Sequence, residues 1–200
     1  SLTSPQGGPP IFLALDQSGA LFTLDPSVPL DKRRSAWESI APALPDNPRV
    51  PPRLLPAPDG HSAYEIAAPG DGKFMTIRQI DWAGAGHGLR VKQREVSLMS
   101  AAGGSLLVPA GTPAVTGSQL LVPMTEGILA RVPLPVPEEQ ARFDGGGPDW
   151  RSPQASPNAP CHVLALGGDR FLTTDGSRGL SVWAWPADKA WQGLPDGRGD

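Results

Sequence analysis

Three histidines, one cysteine and 20 carboxylates are the side chains of this 200-residue chain best suited to acid–base or metal chemistry. His61, His87 and His162 fall in three different segments and show no metal-ligand spacing. His87, in Ala85-Gly-His-Gly88, reads as a loop-tip residue, and His61 and His162 read as surface or rim residues near strand starts. Cys161 stands alone, which excludes an intramolecular disulfide and a zinc site built on cysteine clusters. No Lys or Arg flanks it to depress its pKa, so it reads as a small buried residue at a strand start. No Gly-x-Ser-x-Gly elbow frames a serine nucleophile, and the Walker pattern is missing. Gly145-Gly-Gly147 and Gly117-Ser118 are not phosphate loops, and Gly84-Ala-Gly-His-Gly88 opens no helix and reads as a hairpin turn. The tripeptide Arg198-Gly-Asp200 is short enough to occur by chance. These residues assign no catalytic position, no metal ligand and no cofactor.

The tryptophans carry a different signal. Trp183 and Trp185 alternate on one face of a strand whose other face holds Val182 and Ala184, the pattern of aromatics that pack between neighbouring sheets. Trp37 and Trp191 each follow a predicted strand and are assigned the same structural role, while Trp82 and Trp150 are expected to anchor loops.

The elements that must position these side chains follow from composition. Gly and Pro number 24 and 25, about twice the usual share. No stretch free of both is longer than the 14 residues of Leu89–Ala102, which argues against a long helical bundle or coiled coil. At 39% hydrophobic and a net charge of -3 the chain can still bury a core, so the Gly and Pro must be mostly turns. The charge leaves no basic field for nucleic acid, and no apolar run approaches the ~20 residues of a membrane span. No secretory signal is visible, the compartment stays unassigned, and the missing initiator Met points to a piece of a longer protein.

Four segments repeat one grammar: apolar strand, polar turn closed by Gly, apolar strand. They are Ile11–Leu15 with Ala20–Leu24, Lys73–Ile80 with Leu89–Val96, Leu120–Met124 with Ile128–Val132, and Arg170–Thr174 with Leu180–Trp185. Their closing glycines are Gly19, Gly88, Gly127 and Gly179, at intervals of 69, 39 and 52 residues. Further strands are expected upstream at His61–Ala67, Thr112–Thr116 and Cys161–Leu166, with weaker ones at Arg53–Pro56 and Ser105–Val108. Asp31–Ile40 reads as a short surface helix, Pro42–Pro58 and Pro133–Pro160 as stiff connections, and Pro137–Arg142 as a helical turn. Pro123 and Pro133 touch predicted strands, which should therefore be edges, bulged or short.

The segments resemble the quinoprotein (pyrroloquinoline-quinone-like) β-propeller repeat: strand, Asp-Gly, strand ending in Leu-Asp, then Trp. Leu15-Asp-Gln-Ser-Gly-Ala-Leu-Phe-Thr-Leu-Asp25 with Trp37, Pro113–Val122 with Glu126-Gly127, and Arg170–Gly176 with Trp191 carry the resemblance, over about half the chain. Pro26-Ser-Val-Pro29 stands where the repeat has Thr-Gly, and no Trp-Asp dipeptide supports a WD-repeat assignment. The resemblance implies an all-β propeller arc of three to four antiparallel meander blades, in one domain over 1–200. It comprises a hairpin at 11–25 and blade-like units near 53–98, 105–134 and 161–191. A β-sandwich or barrel of about ten strands is the alternative. Quinoprotein enzymes also use calcium held by carboxylates and amides, and often adjacent cysteines. Cys161 is single, and Asn47 and Asn158 sit in Pro-rich loops, so no catalytic position carries over. The expected function is a non-catalytic scaffold or protein-interaction module, with protein and the remaining blades as partners. A degenerate quinoprotein-like oxidoreductase is the alternative.

Overall fold

The computed structural model describes residues 1–3, 7, 10–29, 31–32, 36–44, 50–68, 74–83, 88–98, 108–117, 119–124, 128–136, 141–142, 150–151, 162–167, 170–174 and 180–184. It is all-β, with four antiparallel sheets, none closed, and no helix among those residues. The chain divides into two units, Ser1–Val96 and Ser97–Asp200.

In the first unit β1 (Phe12–Leu15) and β2 (Leu21–Leu24) form the first expected hairpin, in register Phe12↔Leu24 to Leu15↔Leu21. A bridge from Leu2 to Ile11 extends it on the N-terminal side. The third strand, β3 (Glu38–Ala41), lies where a helix was expected over Asp31–Ile40. Propensity favours that helix only weakly. Pairing with β2 (Leu21↔Ala41) places Ala41 among buried apolar side chains, and tertiary contact outweighs local preference.

The second sheet is a meander of β4 (Val50–Pro56), β5 (Ser62–Ala68), β6 (Phe74–Trp82) and β7 (Leu89–Ser97). Seven residues of the expected Pro42–Pro58 connection are therefore strand. β4 tolerates Pro51 and Pro52 because its register breaks between Val50 and Arg53, so those positions miss regular ladder pairing. Trp82 ends β6 and is not a turn residue. β5 and β6 are buried on both faces: Ala63, Glu65, Ala67, Thr76, Arg78 and Ile80 on one, Tyr64, Ile66, Ala68, Met75 and Ile77 on the other. Leu2, Ile11, Leu21 and Ala41 meet Ala63 and Ile80 in one apolar cluster, which joins the two sheets of this unit.

The second unit contains β8 (Ala114–Val115), β9 (Gln119–Pro123), β10 (Ile128–Pro133), β11 (Ala141–Arg142), β12 (Trp150–Arg151), β13 (His162–Gly167), β14 (Arg170–Thr174) and β15 (Leu180–Ala184). One sheet runs β12-β10-β9-β8 and the other β13-β14-β15. The third and fourth expected hairpins are β9–β10 and β14–β15. Pro123 and Pro133 do not mark edges. Each is the last residue of an internal strand, where one lost donor interrupts little of the ladder. The expected helical turn at Pro137–Arg142 is overturned at its end, where β11 is extended; 137–140 lie outside the described residues. Trp150 is a strand residue opposite Leu129, not part of a loop. Ser105–Leu107 of a weaker predicted strand lie outside the description, while Pro109 bridges to Met124. Ala114, Leu121 and Leu129 pack on Val163 and Phe171, joining the two sheets of this unit.

Candidate functional site

The densest polar arrangement lies inside the first unit, at positions that strand patterning passes over. Arg78 stands in mid-β6 directly across from Glu65 of β5, and both are buried, at 3% and 0% exposure. Arg78 Nη1 donates to Glu65 Oε2 at 3.2 Å, to the Gly19 carbonyl at 3.0 Å and to the Pro42 carbonyl at 2.8 Å. Its Nε donates to Gln93 Oε1 at 3.0 Å. One guanidinium thus joins the β1–β2 turn, the exit of β3, β5 and β7. An arginine fork suits this because its donors are rigidly fanned and always charged.

Glu65 is less well served: Oε1 is buried and has no hydrogen-bond partner among the described residues. Burial pushes its carboxyl above the ordinary glutamate range, the Arg78 charge and hydrogen bond oppose the rise, and Asp16 adds to it. Trp82 Nε1 is also buried without a partner.

Gly19 shapes the approach to this node. Its φ of +79° is a conformation that an L side chain resists. A Cβ there would stand 3.1 Å from Leu44 and from Pro52. The turn before it is fixed by Asp16, whose Oδ1 accepts from the Ser18 amide, the Ser18 hydroxyl and the Ala20 amide at 2.7–2.9 Å. The Ser18 hydroxyl, then the Ala20 amide, hold the Asp16 carboxyl below the ordinary carboxylate range. Asp25 is lowered in the same way by Ser27.

The β4–β5 turn repeats this device. Asp59 Oδ1 accepts from the amides of His61 and Ser62. His61 Nδ1 lies 2.7 Å from the Thr3 carbonyl, so that nitrogen carries its proton towards it. The Ser62 hydroxyl donates to Asp81, not to His61, so the Ser, His and Asp here form no nucleophile–base pair. Gln79 completes the Asp81 carboxylate. Burial, then the charges of Asp81 and Asp59, push the Tyr64 phenol up to about 12.

The structure treats the remaining positions picked out from the sequence unevenly. Gly19 and Gly88 both have positive φ, as closing-turn residues require. Gly127, Gly179, Trp185, Trp191, His87 and Cys161 lie outside the described residues. Trp37 precedes β3 and is 39% exposed. Trp183 is in β15, opposite Phe171, and its side chain is outside the description. His162 is exposed at the start of β13. On the same face of β13, Leu164 and Leu166 stand 60% and 41% exposed.

Sequence reasoning missed Glu65 and Arg78. Their signal was available: each is a lone charge whose same-face neighbours, Ala63 and Ala67, Thr76 and Ile80, are small or apolar. Among the described residues no three of His, Cys, Asp and Glu gather where a metal ion could be held. Asp59 accepts from turn amides, and Asp81 accepts from Ser62 and Gln79. Among the described residues no helix is long and apolar enough to cross a membrane. The sequence matches no protein-family model and no curated protein.

Proposed function

We propose that the chain is a non-catalytic, propeller-type scaffold or protein-interaction module. The observation that carries this reading is where its reactive side chains are spent. Asp16, Asp25 and Asp59 hold turn amides, His61 holds the Thr3 carbonyl, and Arg78 holds two carbonyls of the neighbouring sheet. These groups fix loop and sheet positions, which is what a rigid platform needs. The meander order of sheets β1-β2-β3, β4-β5-β6-β7 and β13-β14-β15 supports a blade-like repeat. Protein is the partner class that suits large apolar side chains at the surface, here Phe12, Trp37, Phe74, Leu164 and Leu166.

The test is a thermal-shift titration of the whole chain with calcium and pyrroloquinoline quinone, singly and together. The melting temperature is expected to stay constant across the titration. A saturable rise that needs both components would overturn the scaffold reading in favour of a quinoprotein-like oxidoreductase.

A further inference from the structure

Glu65 has one carboxyl oxygen more than its surroundings can serve. Oε2 accepts from Arg78, while among the described residues Oε1 faces no donor, and Glu65 is wholly inaccessible. An ionised carboxylate placed there loses its hydration, and a single ion pair returns only part of that loss. A proton on Oε1 removes the charge and in return leaves the buried guanidinium without its counter-charge. Oε2 still accepts from Arg78, and Arg78 does not depend on Glu65 alone, because the Gly19 and Pro42 carbonyls also accept from it.

Among the described residues, the charged groups facing Glu65 are Arg78 of β6 and Asp16 of the β1–β2 turn. β4 sets Leu54 opposite it, and β7 contributes the neutral Gln93 to the same guanidinium. The turn keeps Asp16 ionised, so Asp16 repels a second negative charge at Glu65.

We propose that Glu65 is a proton-binding site built into the first unit, whose loss of a proton destabilises that unit. The rise in its carboxyl pKa, set by burial and opposed by Arg78, agrees with that placement. A folded-state value above the unfolded one means the contribution to stability is complete below the ordinary glutamate range. It is lost as pH climbs through the folded value.

Two measurements on the full chain test this. Carbon-13 NMR of the Glu65 carboxyl should give a midpoint above the ordinary glutamate value. Melting of the wild type and Glu65→Gln between about pH 4.5 and 7.5 should show the wild type falling by a few degrees relative to the variant as pH rises. A Glu65 midpoint at or below the ordinary value overturns the proposal. So does a Glu65→Gln variant whose deficit is greatest at neutral pH. If the variant fails to fold, the wild-type NMR midpoint decides alone.

Discussion

At the residue scale, Arg78 and Gly19 carry the most structural consequence for their size. Arg78→Met removes four hydrogen bonds and strands Glu65 beside apolar side chains. Breaking a buried pair from one side costs about 3–5 kcal/mol, and denaturant unfolding of the variant should show a loss of that order. Gly19→Ala should destabilise by about 1–3 kcal/mol, since the new methyl meets Leu44 and Pro52 in a disfavoured backbone conformation. Tyr64 offers a direct reading because it is the sole tyrosine. Its ultraviolet titration should have a midpoint near 12. The neutral phenol is favoured in the folded state, so its contribution to stability is present below about pH 10. That contribution is lost as pH rises from there towards the folded value. A midpoint at the ordinary tyrosine value would show the ring to be hydrated.

Elements differ in how plainly the sequence announces them. The hairpins were legible because an apolar run, a Gly turn and a second apolar run are local signals, each contained within 24 residues or fewer. β3 was not: Glu38-Ser-Ile-Ala41 has little pattern of its own, and its strand form comes from β2, about 17 residues earlier. β4 was legible only over Arg53–Pro56; its start at Val50 was masked by Pro51 and Pro52. The Arg78 node was hidden because its acceptors lie at 19, 42, 65 and 93, and no window joins them. The turn at Asp16 gives an element-scale prediction. Asp16→Ala should speed hydrogen exchange at the Ser18 and Ala20 amides, whereas Asp16→Asn, which keeps an acceptor oxygen, should leave them largely protected. Equal exchange in both variants would show the side chain to be idle. In the β13–β14 sheet the two faces should respond differently. Phe171→Ala should cost about 3–5 kcal/mol by chemical denaturation, and Leu164→Ser should cost far less, because one side chain is enclosed and the other stands in solvent.

Across the whole molecule, antiparallel meanders of neighbouring strands account for most of the architecture, so much of the pairing is short in sequence range. The guanidinium of Arg78 is an exception, because its acceptors run from residue 19 to residue 93. β5 and β6 can zip together early, since they are adjacent in the chain. In the folded unit Arg78 sits on their shared face and has residues 19, 42 and 93 in place of water. The face of β5 and β6 that meets the first sheet therefore carries a buried charged spot. An apolar surface without carbonyls in those places would leave the guanidinium's donors unpaired, a cost that the matching sheet avoids.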